Sequence, residues 1–273
     1  AAWLAISEKS LRYFLYVKRV ENLYNDFQIS KKGGGFRQIR APYPELKTIQ
    51  RKLADALSAV YVPKSCVYGF VADKCIIDNA QNHVKNRCIL NIDLKDFFNQ
   101  IHIGRIVGLL TAKPYSFGRE AAVTIAQIAC YYESNSKISF LPQGAPTSPI
   151  ISNMVCSSLD TQMMHFAKKY RLFYTRYADD ISLSTYKKQF DSEVAAVESS
   201  GKINLGGELK VIFSRSNFSV NEDKLKLRTQ DVRQEVTGLV INKKVNIKRE
   251  YINTIRAILH HCEKDGIYNT AIA

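Results

Sequence analysis

Residues 172–185 read Leu-Phe-Tyr-Thr-Arg-Tyr-Ala-Asp-Asp-Ile-Ser-Leu-Ser-Thr. Apolar and polar residues alternate on both sides of Asp179-Asp180, which predicts two antiparallel strands meeting at a tight turn. An aspartate pair is common in polar turns. Between apolar strands it is costly, because like charges in a dry setting raise one another's pKa unless a cation neutralises them. Upstream, Cys88–Asp93 (CILNID) is an apolar run ending in an acid, which suits a buried strand. A strand end and a hairpin tip of antiparallel neighbours can meet. Asp93, Asp179 and Asp180 would then form one acidic centre. Carboxylates hold divalent ions through hard oxygen ligands. Paired ions activate a hydroxyl and stabilise the leaving oxygen in phosphoryl transfer.

The rest of the chain is read outward from that hairpin. Leu-Pro-Gln-Gly-Ala-Pro-Thr-Ser-Pro (141–149) is a loop feeding a long helix with Ile151, Met154, Val155, Leu159, Met163 and Phe166 on one face. A helix begins after Pro44, with Leu46, Ile49, Leu53 and Leu57 at three- and four-residue spacings. Residues 3–23 read as helical, 31–35 as a Lys/Gly breaker and 36–40 as a short strand. An apolar helix is expected over 118–132, a helix with an insertion after the hairpin, and strands over 218–220 and 235–242. An amphipathic helix over 249–262 closes the chain. Helices and strands mix without strict alternation, so the class is α+β.

The 273 residues carry 39 Lys and Arg against 25 Asp and Glu, a net charge of +14. Such an excess points to a polyanion, nucleic acid first and an anionic membrane surface second. With 46% hydrophobic residues, disorder is excluded as the dominant state. Apolar runs fall far short of the ~20 residues that span a bilayer, so no membrane partner is expected. Six cysteines lack Cys-x-x-Cys or Cys/His metal spacing and read as small buried residues in a reducing, cytoplasmic compartment. The start, AAWLAISEKSLRYFLYV, has no basic segment or clear cleavage site, so no secretory leader is expected. It begins with alanine, and both ends are expected to be trimmed relative to the natural protein.

Tyr177-Ala178-Asp179-Asp180 in a hairpin, with these motifs in this order, resembles the reverse transcriptases over nearly the whole length. The resemblance implies a right-hand polymerase fold of fingers, palm and thumb, with an antiparallel palm sheet carrying the YADD hairpin. It implies an N-terminal helical segment over 1–27, fingers over 28–87 and 109–141, palm over 88–108 and 142–236, and the start of a thumb over 237–273. Asp93, Asp179 and Asp180 would be catalytic and, with the backbone of Leu94, would hold two Mg²⁺ ions, for which Mn²⁺ can substitute. Phe98 would be a steric gate against the ribose 2′-OH, its bland alternative being core packing like its neighbour Phe97. Gln143 and Gly144 would bind nucleotide, with Gly144 letting the backbone approach a ligand. Arg37 would lie on the incoming nucleotide, and Lys31 or Lys32 would hold its γ-phosphate. Lys224, in Val-Asn-Glu-Asp-Lys (220–224), would approach the pyrophosphate, although Leu225 departs from the small hydroxyl residue of many relatives.

Asn79-Ala80-Gln81-Asn82-His83 and Val236-Thr237-Gly238 match two strings that mark retron reverse transcriptases. Asn79, Ala80, His83, Val236, Thr237 and Gly238 would contact the structured RNA or shape the template channel. The subtype implies a cognate non-coding RNA as template and primer, dNTPs as substrates, and a single-stranded DNA product on a 2′-OH, the branched msDNA. It implies anti-phage defence, with any toxic effector a separate protein or a region beyond these ends. The alternatives are another bacterial reverse transcriptase (group II-like, diversity-generating or abortive-infection) and a non-catalytic RNA-binding scaffold.

Overall fold

The computed structural model describes residues 6–18, 23–31, 34–133 and 138–266. It opens with helix α1 (Glu8–Arg12), capped by the Ser7 side chain and running into a π-helical turn over Tyr13–Val17. Strand β1 (Tyr24–Ser30) follows and pairs antiparallel with β2 (Phe36–Pro42). β1 begins where the helical stretch expected over 3–23 ends, and it makes residues 24–27 of the expected N-terminal helical segment extended rather than helical. Only Tyr24 of β1 is buried, so this hairpin arm has no alternating core signal to read. Lys32 and Gly33, between the two strands, lie outside the described residues, as do residues 1–5, 19–22 and 267–273 of the expected terminal segments.

Helix α2 (Pro44–Val60) buries Leu46, Ile49, Leu53 and Leu57, the spacing expected of it. Gln50 shares that buried face and donates to Tyr24 Oη and the Ile128 carbonyl, both at 2.8 Å. The short α3 (Ile76–Gln81) is followed by β3 (Cys88–Asp93), which is dry on both faces. Helices α4 (Ile103–Thr111) and α5 (Arg119–Ala129) pack together. The apolar run beyond residue 129 turns extended at Cys130, where Tyr131–Glu133 (β4) pairs with Ile138–Phe140 (β5) instead of prolonging the helix. Helix α6 (Ser148–Tyr170) runs back against β6 (Phe173–Tyr177), which pairs with β7 (Asp180–Thr185). The insertion is a small hairpin, β8 (Ala195–Val197) and β9 (Ile203–Leu205), ahead of α7 (Gly207–Arg215).

The central sheet is antiparallel throughout. Its outer strand β10 (Lys226–Thr229) completes the order β10-β3-β7-β6. β10 reads Lys-Leu-Arg-Thr, with the charge typical of an edge strand, which hid it from the hydrophobic pattern. The strand expected at 218–220 reduces to one bridge, Val220 against Leu94. A last hairpin, β11 (Glu235–Val236) and β12 (Leu239–Val240), leads to α8 (Arg249–Asp265).

One hydrophobic core runs from α2 through α4, α5 and α6 to the sheet, with Leu90, Ile92, Ile181 and Leu183 on the strands. A second, small cluster of Ala80, Ile89, Val236, Leu239 and Ile241 is separate from it. Alternation along β3 sends Ile89 to this second cluster while its neighbours Cys88 and Leu90 face the main core. Among the described residues no helix is long and apolar enough to cross a membrane. All six cysteines are free. Four are buried, but Cys75 is exposed and caps α3 rather than filling core.

Candidate active site

β6 and β7 are joined by a two-residue turn, Ala178-Asp179, with Tyr177 opposite Asp180. Ala178 takes φ +56°, a conformation that two-residue hairpin turns ask of their first central residue and that glycine adopts most easily. Asp93 ends β3 directly opposite Asp180. The Leu94 N–H donates to the Asp179 carbonyl at 3.2 Å, and the Asn221 N–H to the Asp93 carbonyl at 2.8 Å. The sheet register thus brings the three aspartates to one end of the central strands. Asp93 and Asp180 line a cleft of about 320 Å³ together with Tyr177, Lys224, Lys226, Arg228, Thr237 and Gly238, and Asp179 sits in the adjoining turn.

The carboxylates disturb one another. Burial, and then nearby Asp93, raise the Asp179 pKa above its ordinary value, against the pull of Lys224 and Arg37. Asp180 opens on the cleft, but its enclosing walls strip water from it. That desolvation, with Asp179 and Asp93, pushes it up to about 6. Lys224 Nζ sits 3.1 Å from both carboxylate oxygens of Asp93. Two residues expected to act separately, on metal and on pyrophosphate, are therefore an ion pair here. Among the described residues no set of three His, Cys, Asp or Glu side chains is gathered tightly enough to hold a metal as it stands. The donor chemistry nevertheless fits a hard divalent cation: oxygen-only carboxylates, mutually repelling, in a partly dry cleft. Leu94 is fully buried, so only its backbone can contribute.

The turn is braced from behind by a network the sequence reading missed. Arg176, completely buried, donates from Nε and Nη2 to the two oxygens of Asp160 on α6, at 2.7 and 2.8 Å. Its Nη1 donates to Asn153 Oδ1 at 3.0 Å and to the Ala178 carbonyl at 3.1 Å. Tyr174 Oη donates to Asp160 at 2.7 Å. Residues 66–70 lie alongside: the Arg176 N–H donates to the Cys66 carbonyl and the Tyr68 N–H to the Arg176 carbonyl, both at 2.9 Å. A signal was available. Arg176 shares the inward face of β6 with Tyr174, and Asn153 and Asp160 are seven residues apart on the buried face of α6.

The nucleotide-loop residues sit beside the β1–β2 hairpin. The Arg40 N–H donates to the Gln143 carbonyl at 2.8 Å. Gly144 has φ +121°, and a Cβ there would lie 2.9 Å from the Arg40 carbonyl oxygen and 3.0 Å from Ile39 Cγ2. The close approach that Gly144 permits within the fold is therefore to strand β2. Arg37 is exposed on β2 and acts electrostatically on Asp179. Lys31 is described and Lys32 is not. Phe98 is half-buried against Phe97, rings 5.1 Å apart, and Phe97 stacks on Phe218 at 5.6 Å.

The two marker strings form one unit. Ala80, Val236 and Leu239 share the small second cluster, and Thr237 Oγ1 is 3.5 Å from the Ile76 carbonyl. His83 is fully buried, with Nδ1 2.6 Å from Ser184 Oγ and Nε2 2.7 Å from Thr175 Oγ1. Desolvation pushes its pKa down to about 3, so the ring is neutral and ties α3 to both catalytic strands. Asn79, Ala80, His83 and Val236 have essentially no surface, which corrects any expected direct contact of their side chains with RNA. Thr237 and Gly238 do line the cleft, on its opposite wall.

An antiparallel sheet presenting a strand-end aspartate beside an Asp-Asp turn, under a basic rim, defines the palm of a right-hand polymerase fold. The family described as reverse transcriptase (RNA-dependent DNA polymerase) matches residues 29–246. A retron reverse transcriptase of Escherichia coli, Ec86, is 34% identical over 94% of this chain and 74% of its own length. Those of Myxococcus xanthus, Mx162 and Mx65, are 30% and 31% identical over 96% and 95% of this chain. The chain belongs to the retron-type bacterial reverse transcriptases. It spans 57% and 61% of the two Myxococcus relatives. An apo telomerase of Candida tropicalis, truncated from its C-terminal domain, superposes with TM-score 0.51 over 82% of this chain and 55% of that one. A Candida albicans telomerase with an RNA fragment gives 0.50 over 81% and 45%. At 11% and 13% identity these two establish the fold alone. The family generally uses divalent metal ions.

Proposed function

We propose that this chain is the polymerising core of a retron enzyme, an RNA-directed DNA polymerase that copies part of a cognate folded RNA into single-stranded DNA. The observation that carries this reading is the register that sets Asp93 opposite Asp180 beside the Asp179 turn. Asp93, Asp179, Asp180 and the Leu94 backbone would hold two Mg²⁺ ions, with Mn²⁺ as a substitute. When bound, the ions lower the pKa of the primer hydroxyl and stabilise the pyrophosphate. The protein's own part is positional. The braced turn holds Asp179, Arg37 and Lys224 offset negative charge at the triphosphate, Gln143 contacts the nucleotide, and Phe98 closes the space of a 2′-OH. Residues 28–87 and 109–141 would act as fingers, 88–108 and 142–236 as palm, and residues from 237 as the start of a thumb.

On the retron reading, the proposal extends to a 2′-OH primer, a branched RNA–DNA product, a cytoplasmic location and a defence role with a separate effector. The test is to sequence the RNA that copurifies and to assay primer extension with Mg²⁺. One abundant folded transcript linked to DNA is expected, with synthesis lost and RNA binding kept in Asp179→Asn. A mixed RNA population would refute the retron reading, and normal synthesis by Asp179→Asn would refute the metal-ligand assignment. Binding of RNA without any extension would leave the scaffold alternative.

A further inference from the structure

We propose that Phe70 is the second wall of the nucleotide gate: it positions Phe98 and so sets how strongly the site rejects a 2′-hydroxyl. This rests on the reading of Phe98 as the gate. Phe70 combines two unfavourable features. Its side chain is 44% exposed, and its backbone has φ +59°, a left-handed conformation that costs a bulky residue stability. Strain of that kind persists only where the surroundings enforce it, and it concentrates at functional sites.

The surroundings here are the catalytic turn. Val67 bridges Arg176 in parallel register, so the segment is laid along β6. Gly69 lies flush against the hairpin. A Cβ on it would overlap the Ala178 backbone nitrogen and come within 2.9 Å of the Tyr177 carbonyl carbon. Asn153 Nδ2 donates to the Gly69 carbonyl at 2.9 Å and reaches the Phe70 carbonyl at 3.4 Å. The same Asn153 accepts from Arg176. Phe70 is thus fixed to the residues that hold Asp179, next in sequence to the glycine that lies flush against the turn's own backbone.

Its ring points to Phe98, with centroids 6.5 Å apart and planes at 39°. Phe98 then has one buried aromatic neighbour, Phe97, anchored on Phe218, and one exposed neighbour, Phe70. Phe97 and Phe218 are both buried in the core, so the side on which Phe98 can yield to a bulkier sugar is that of Phe70. The segment carrying Gly69 thereby couples the depth of the gate to the position of the catalytic carboxylates.

The test compares Phe70→Ala, Phe98→Ala and the double variant in the full chain, with kcat and KM for a dNTP and the matching rNTP. Phe70→Ala is expected to lower dNTP-over-rNTP selectivity about three- to tenfold, the scale of one aromatic pair. The change should sit in the KM for rNTP rather than in its kcat. Phe98→Ala should lower selectivity more, the double variant should lose no more than Phe98→Ala alone, and Phe70→Tyr should restore discrimination. Unchanged selectivity in Phe70→Ala, with Phe98→Ala relaxed, overturns the proposal and leaves the gate standing. Equal losses for both nucleotides in Phe70→Ala overturn it in favour of template stacking. Unchanged selectivity in Phe98→Ala overturns the gate itself and this proposal with it.

Discussion

Asp160→Asn would leave a fully buried guanidinium without its counter-ion. Arg176 would lose the charge behind its two shortest bonds, at 2.7 and 2.8 Å, while keeping Asn153 and the Ala178 carbonyl as partners. Breaking a buried pair from one side costs about 3–5 kcal/mol, and the retained partners place this case near 3. A domain holds about 5–15 kcal/mol in total, so the variant should fold with much reduced margin. With a urea slope of about 3 kcal/mol per molar, the unfolding midpoint should fall by roughly 1 M. The triple variant Asp160→Leu, Tyr174→Phe, Arg176→Met removes both charges and the hydroxyl that Asp160 accepts from. Apolar replacement of a buried pair is commonly neutral or better, so most of the stability should return. The tether from Arg176 to the Ala178 carbonyl does not return. The triple variant is therefore expected to be stable but slow, with kcat at least about tenfold lower, some 1.4 kcal/mol of barrier, and with dNTP KM little changed. Full activity in a stable triple variant would refute the role of this network in holding the turn. An unchanged midpoint in Asp160→Asn would refute the energetics.

Three further outcomes are expected. His83 is pushed down to about 3 from an ordinary value near 6.5. Its neutral burial therefore stabilises the fold fully above pH 6.5, and that contribution drains away as pH falls below 6.5, at up to about 1.4 kcal/mol per unit. Denaturant midpoints between pH 7.5 and 5.5 should fall steeply in the parent and less in His83→Asn, and equal slopes would count against it. Gly144→Ala should push β2 off the nucleotide loop, destabilising by about 1–3 kcal/mol and raising the dNTP KM, whereas a neutral result would show that the close approach is dispensable. Lys224→Ala removes a cation from the oxygens of Asp93 and should tighten Mn²⁺ binding, read by electron paramagnetic resonance, by a few-fold at most because the lysine is largely exposed. Weaker Mn²⁺ binding would argue that Lys224 aligns Asp93 rather than competing for it.

Much of this arrangement was legible in the chain itself. The apolar run of β3, the alternation across the hairpin and the three- and four-residue spacing of α2 and α6 all report burial, which pattern reading detects. Elements without a strong burial pattern stayed hidden. β1 shows one buried residue in seven, and β10 is a charged edge strand recognisable only by its partner, β3. The aspartates could be located because strand ends are visible in sequence. The brace behind them could not be assembled, because Arg176, Asp160, Asn153 and Gly69 meet only through tertiary packing. Asp160 and Asn153 sit where an apolar residue is expected on α6, and a polar residue breaking a buried stripe is the trace such a network leaves. For the marker strings, the resemblance implied contact with RNA or shaping of the template channel, and burial leaves the His83, Asn79 and Ala80 side chains no surface for the first, while His83 joins α3 to the sheet.

The small cluster shared by Ala80, Ile89, Val236, Leu239 and Ile241 bears on how such enzymes can be recombined. Its walls come from two stretches far apart in the chain, joined through a single isoleucine of the catalytic strand. A chimera that imports everything after Thr229 from a relative, and keeps the native residues 76–84, would cut this chamber along its seam. Modules exchanged between retron enzymes should therefore travel with the helix that closes the chamber.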